Sequence, residues 1–252
     1  MNLFNNQDNI QYNKDNIQYD KDNIQYDTDN LDNQNPLLEN NEFSKLWINK
    51  YKSNTLSDII GHKKQIDAIK NWLLNIDNVK SRAIIISGVH GIGKSLTVKL
   101  LLNELNYLQR TIHPNEIKDH RIFDDFNDYY NFQNSIYSKI NFINDSTKKK
   151  LVLIFEETEN ITLTSEKKYI MEIFKENNKQ KAFPLIFISN NQHSKLLSDL
   201  KKNSDEIKFE YPTNDELYSL IYKICNNENI TIKNNSALDQ LILFSQFDIR
   251  RL

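Results

Sequence analysis

Three of the four glycines in this 252-residue chain fall within six positions, and no other feature constrains the fold as strongly. They lie in residues 83–95, AIIISGVHGIGKS, where an apolar, β-prone run breaks into a turn that ends in Lys94 and Ser95. Read as G-x-x-x-x-G-K-S, the residues Gly88, Val89, His90, Gly91, Ile92, Gly93, Lys94 and Ser95 make a phosphate-binding P-loop. Residues without Cβ let backbone N–H groups curl around a polyphosphate, Lys94 reaches its β and γ oxygens, and the Ser95 hydroxyl is a ligand for Mg2+. Ile84, Ile85 and Ile86 predict a buried strand before the loop, and the apolar spacing of residues 96–108 predicts a helix after it. Phosphate would then sit on a helix N-terminus.

Residues 1–44 carry nine acids against Lys14 and Lys21, a balance of −7 that leaves +5 on the remainder of a chain of net charge −2. They repeat DNIQY at 8, 15 and 22, but the apolar positions (Ile10/Tyr12, Ile17/Tyr19, Ile24/Tyr26) are two apart, which excludes a coiled-coil seam. The composition predicts a disordered low-complexity tail. Cys225 is the one cysteine, so an intrachain disulfide is excluded and the thiol reads as a small buried hydrophobe. No apolar run approaches the roughly 18 residues of a membrane span, and the start lacks the basic and apolar regions of a signal peptide. A soluble, intracellular protein without membrane contact is expected, and its mildly basic body permits nucleic-acid binding.

Order is expected from about Leu46. Thr55 or Ser57 can cap a short turn, Gly61 marks a break, and Ile66, Ile69, Trp72 and Leu73 give the stripe of a helix. After the P-loop helix, residues 110–113 predict a second strand, followed by the aromatic-rich stretch 123–143. The run 151–155 (LVLIF) is a stronger strand and leaves through Glu156 and Glu157. A carboxylate at such a tip holds the Mg2+ shell in P-loop NTPases, and a following Glu can orient or deprotonate the attacking water. The plain alternative is that Glu156, Glu157 and Glu159 merely solvate a loop. Thr164 or Ser165 caps a helix through Phe174, residues 182–189 give another strand ending at Asn190, and 206–210 a fifth. Helices near 215–226 and 236–246 precede Asp248, Ile249, Arg250 and Arg251. This order predicts an α/β fold: a three-layer domain with a parallel five-stranded sheet, then a helical lid.

The order P-loop, Glu156-Glu157, Asn190 and Asp-x-Arg resembles AAA+ ATPases, and LWINKYKS with LSDIIG is similar to the opening motif of clamp-loader subunits of replication factor C. The resemblance covers about residues 46–252, giving a tail at 1–44, an AAA+ nucleotide-binding domain at 45–211 and a partial lid at 212–252. It implies that Lys94 and Ser95 are Walker A, Glu156 and Glu157 Walker B, Asn190 sensor 1 and Arg250 sensor 2, with Tyr51 and the pair Ile59-Ile60 near the adenine. ATP and Mg2+ are the implied cofactors, with Ser95 and Glu156 toward the metal. The implied partners are small clamp-loader subunits in a hetero-oligomer, a sliding clamp and primer-template DNA. The chain looks more like the large subunit, because residues 195–209 (KLLSDLKKNSDEIKF) lack the arginine finger that small subunits offer a neighbour.

Glu156 stands where that family usually has Asp, Ser53 replaces a proline, and HPNEIKDH replaces an Asn-Ala-Ser-Asp stretch. The chain ends at Leu252, before the third lid helix and the collar domain that the resemblance implies. An ATPase active within a complex is the first reading. A degenerate AAA+ module that keeps nucleotide as a structural ligand is the second, while an enzyme of recombination or origin binding does not fit LWINKYKS. Lys167, Lys168, Lys175, Lys179 and Lys181 are the expected DNA contacts, a solvated helix face being the plain alternative. Residues 130–143 lie where the family presents an apolar plug to the clamp.

Overall fold

Three strands are buried from end to end and built mostly of isoleucine, leucine, valine and phenylalanine, as a parallel sheet covered on both faces requires. The computed structural model describes residues 46–117, 150–232 and 234–252. The chain divides into two compact units, Met1–Asn49 and Lys50–Leu252. The described residues begin with a helical turn, α1 (Trp47–Lys50), where the Asn49 N–H donates to the Leu46 carbonyl. The expected tail at 1–44 and the aromatic stretch 123–143 lie outside the described residues.

In the second unit, α2 (Lys63–Leu74) leads to β1 (Ala83–Ser87), α3 (Lys94–Glu104), β2 (Leu108–Ile112) and the turn α4 (Pro114–Ile117). There follow β3 (Leu151–Phe155), α5 (Thr164–Gln180), β4 (Leu185–Ser189), α6 (Lys195–Leu200), β5 (Asp205–Lys208), α7 (Asn214–Asn227) and α8 (Asn235–Ser245). The five strands run parallel in the order β2-β3-β4-β1-β5. This is the expected three-layer α/β fold.

Alternation along each strand sorts the core into two layers. On one face Ile85, Leu153, Phe155, Leu185 and Phe187 meet Ile170 and Phe174 of α5 and Leu196, Leu197 and Leu200 of α6. On the other, Ile84, Ile86, Ile154, Ile186 and Ile188 meet Ile69, Trp72 and Leu73 of α2 and Val98, Leu101 and Leu102 of α3. Phe155 and Phe187 are register partners whose rings stack at 4.9 Å. Burying such a ring is worth about 2–3 kcal/mol. The order sets the tips of β3, β4 and β1 side by side, so the turns after them face one crevice. A separate cluster of Leu217, Ile221, Leu238 and Ile242 joins α7 to α8.

Element ends differ from the sequence reading where single residues turn the backbone. The P-loop helix stops at Glu104 because Asn106 takes a left-handed φ of 58°, and Leu108 already belongs to β2. Neither Thr164 nor Ser165 caps α5; Leu163 occupies that position without a side-chain bond. The helix runs six residues beyond Phe174, to Gln180, where Lys181 turns left-handed. Ser194 caps α6, a helix the pattern of residues 195–200 did not announce.

The turn from α5 to β4 is closed by one buried amide. Asn177 Nδ2 donates to the Phe183 carbonyl (2.8 Å), and the Phe183 N–H donates to Asn177 Oδ1 (3.2 Å). Asn177→Ala removes both bonds from an apolar setting, so a loss of about 2–4 kcal/mol is expected at 1–3 kcal/mol per buried group. Urea unfolding monitored by circular dichroism measures it, and an unchanged midpoint would show that the amide is dispensable.

Candidate functional site

The turn between β1 and α3 is glycine-rich because its backbone cannot be built otherwise. Gly91 has φ +74°, and a Cβ there would lie 2.0 Å from the Asp248 carboxylate. Gly93 has φ +96°, and a Cβ there would make only an ordinary contact with Thr97 Oγ1 at 3.9 Å, so its need is conformational alone. Within this turn Lys94 is buried, and its Nζ donates to the carbonyls of Gly88 (2.8 Å) and Val89 (2.5 Å). Burial pulls the Lys94 pKa below its ordinary value; Glu159 and Glu156 oppose that, and Arg250 adds to it.

The strand tips bring two more predicted residues, Glu156 and Asn190, to the turn. Ser95 Oγ donates to Glu156 Oε2 (2.7 Å), linking the start of α3 to the end of β3. Asn190, at the end of β4, is buried and has its Nδ2 2.9 Å from His90 Nε2. Its Oδ1 accepts from the Gln192 N–H (2.9 Å). Glu157 is exposed and left-handed (φ 47°), and it accepts from Asn160 Nδ2 (2.8 Å). It lines a cavity of about 440 Å3 with His113, Asn115, Thr162 and Glu166.

Arg250 is near the turn but bound to another group. Its Nε and Nη2 donate to Asp248 Oδ1 (2.9 Å) and Oδ2 (2.7 Å), while the Ile249 N–H donates to the Gly91 carbonyl (3.0 Å). Tyr51 donates its hydroxyl to Glu228 Oε1 (2.6 Å), an oxygen that Lys50 Nζ also reaches at 2.6 Å. Its described side-chain bond therefore goes to the end of α7. Ile60 is half-buried, and its neighbour Gly61 packs against Glu216 of α7.

Two residues of this neighbourhood carry weight that the sequence reading did not give them. His62, left-handed at the start of α2, donates from Nε2 to the Ile92 carbonyl (2.9 Å), and its ring lies 4.7 Å from Phe209. Burial lowers its pKa. Glu159, which the sequence offered as a loop-solvating carboxylate, is buried and accepts the Asn190 backbone N–H (3.1 Å). The third Glu of the EETE run was the available sign.

The hydrogen bond from Arg250 holds the Asp248 carboxyl below the ordinary carboxylate range. Its contribution is complete above that range and is lost as pH falls through the lowered folded-state value. Gly91→Ala should force this contact apart and place a Cβ at a left-handed φ, which alone costs about 1–2 kcal/mol. We expect the thermal midpoint to fall by about 4–8 °C, and by less when Asp248→Gly is present. Equal losses in the two backgrounds by calorimetry would contradict the contact.

The family model of the Rad17 P-loop domain matches residues 39–238. The chain is 30% identical over 246 residues to the putative replication factor C large subunit of Acanthamoeba polyphaga mimivirus, covering 82% of this chain and 46% of that protein. It is 24% identical to replication factor C subunit 1 of Schizosaccharomyces pombe, covering 83% and 24%, and 21% identical to the replication factor C large subunit of Archaeoglobus fulgidus, covering 77% and 40%. It thus spans less than half the length of these relatives. Among solved structures, AMPPCP-bound DnaA from Aquifex aeolicus matches with a TM-score of 0.54 at 16% identity, over 80% of this chain and 62% of that one. A second DnaA, bound to AMPPCP and single-stranded DNA, gives 0.52 at 16%, over 77% and 59%. A match across most of the residues from the opening motif to the lid, on a parallel sheet with a P-loop at its central crevice, leaves one conclusion: the chain belongs to the Rad17 P-loop domain family, as an AAA+ protein of the replication factor C type.

Proposed function

We propose that this chain is an ATP-binding and ATP-hydrolysing subunit of a replication factor C-like clamp loader, in which ATP binding arms the complex to place a sliding clamp on primer-template DNA and hydrolysis releases the clamp. The observation that carries this reading is the convergence of Lys94, the Ser95–Glu156 pair, Asn190 and the Asp248–Arg250 segment on one glycine turn. A polyphosphate suits the turn, since Lys94 is a buried cation whose described hydrogen bonds go to neutral carbonyls. Ser95 and Glu156 would hold Mg2+: a hydroxyl and a carboxylate are the hard oxygen donors that ion takes, and the fold brings them together at 2.7 Å. That ion would supply charge neutralisation at the β and γ phosphates.

In hydrolysis, a water oxygen bonds to the γ phosphorus as the bond to the β–γ bridging oxygen breaks, and Glu157 takes the proton that the water loses. Lys94 neutralises charge on the γ oxygens, and Asn190 donates to the γ phosphate or to the water. Arg250 reaches the phosphate only by leaving Asp248, which makes it a reporter of nucleotide at the lid. Residues 195–209, spanning α6 and β5, contain no arginine, so this chain offers a neighbour no finger from that segment; a partner subunit's arginine would complete this chain's own site, an addition worth roughly 10³–10⁵ in rate. The exposed Lys168, Lys175, Lys179 and Lys181 of α5 and its end, with Lys167, are the surface we assign to the DNA backbone.

A second reading, nucleotide kept as a structural ligand, is favoured by one observation: Glu157 is bonded to Asn160 and points into the cavity beside His113. Paired variants separate the readings. Lys94→Ala is expected to lower Mg·ATP affinity by about 10- to 100-fold in calorimetry, the worth of hydrogen bonds to a charged group. Glu157→Gln is expected to keep that affinity while slowing turnover of the assembled complex by about 10²–10⁴. Unchanged binding by Lys94→Ala contradicts the site. If Glu157→Gln spares turnover while Glu156→Gln abolishes it, the two roles are reversed; ATP binding without turnover in the wild-type complex selects the structural reading.

A further inference from the structure

Asn190 is buried and gripped from several sides. Its backbone N–H donates to Glu159 Oε2 (3.1 Å), and the Ser189 hydroxyl donates to its carbonyl (2.8 Å). Its side-chain amide is held at both ends, by the Gln192 N–H at 2.9 Å and by His90 Nε2 at 2.9 Å. The two grips specify each other. A backbone N–H can only donate, so the amide oxygen must face Gln192 and Nδ2 must face His90. A carboxamide nitrogen carries two hydrogens and accepts nothing, so His90 Nε2 is the acceptor. That imidazole therefore carries its proton on Nδ1.

From this chain of constraints we propose that His90 is a positioning residue: it takes one N–H of the Asn190 amide and thereby aims the other. The phosphate-loop motif asks of this position only a backbone, and the side chain in it does a second job. With Oδ1 committed to Gln192 and one hydrogen to His90, the amide plane cannot rotate or flip without breaking a part-buried bond. The remaining N–H is fixed in direction before nucleotide arrives. A preset donor needs no reorganisation when charge develops on the γ phosphate, which is how small displacements at a catalytic site become large changes in rate. The geometric half of the inference stands on the free chain; its consequence for rate rests on the ATP-hydrolysing reading above.

Two measurements test the halves separately. Nitrogen NMR of the full chain with 15N-labelled histidine is expected to show His90 with a bare Nε2 and a protonated Nδ1, and Asn190→Ala is expected to shift the Nε2 signal. A protonated Nε2, or His90 signals unmoved by Asn190→Ala, overturns the proposal. In the assembled complex, His90→Ala is expected to lower kcat about 10-fold, the worth of one hydrogen bond, with KM and nucleotide affinity within about twofold. His90→Gln, whose amide oxygen can reach the place of Nε2, should recover most of that loss, and His90→Asn, one bond shorter, should not. Equal losses in all three variants, or none in His90→Ala, overturn the positioning role. If the NMR result holds while the wild-type complex shows no turnover, the pairing stands and the hydrolytic reading falls.

Discussion

A buried ammonium group governs the arrangement around it. Lys94 is only 8% exposed, and an isolated charge in that setting is costly unless neighbours compensate it. Compensation comes from the carbonyls of Gly88 and Val89, and at longer range from Glu159 and Glu156. The second cation nearby, Arg250, adds repulsion, and Asp248 offsets it with two hydrogen bonds. The ammonium group is thus held against glycine backbone at the start of a helix, the setting in which a polyphosphate is bound by a cation and backbone N–H groups together.

The sheet explains why those groups meet. With β4 lying between β3 and β1, Asn190 is set between the Glu156 turn and the P-loop, and the buried Glu159 ties its backbone to the β3 side. The helical pair α7–α8 is joined to the same turn by contacts without slack. Asp248 occupies the space a Cβ on Gly91 would need, Ile249 bonds to the Gly91 carbonyl, and Gly61 packs on Glu216. His62 adds a bond from the start of α2 to Ile92. A displacement of the P-loop backbone at Gly91 would therefore have to break or carry with it the contacts made by Asp248 and Ile249.

Much of this was legible in the sequence because periodicity and glycine placement are local properties. Residues 83–95 determine strand, turn and helix in one stretch, and LVLIF and LIFIS are too apolar to be anything but buried strands. Side-chain partners across the fold were not legible. Nothing in the pattern shows that Arg250 pairs with Asp248, that Tyr51 bonds to Glu228 177 residues away, or that His62 reaches the P-loop. Helix ends were misread where Asn106 and Lys181 adopt left-handed backbone, a choice made by tertiary context more than by residue type.

If the glycine turn around Lys94 receives the phosphates, the strand tips and lid respond with it. Hydrogen exchange of the full chain, with and without a Mg-bound non-hydrolysable ATP analogue, tests it most directly. Amide exchange is expected to slow in residues 88–97, with coupled slowing at 156–160, 189–192 and 246–251. Protection confined to residues 113–117 and 161–166, on the far side of the cavity that Glu157 lines, or bound nucleotide with no slowing in the glycine turn, would contradict it.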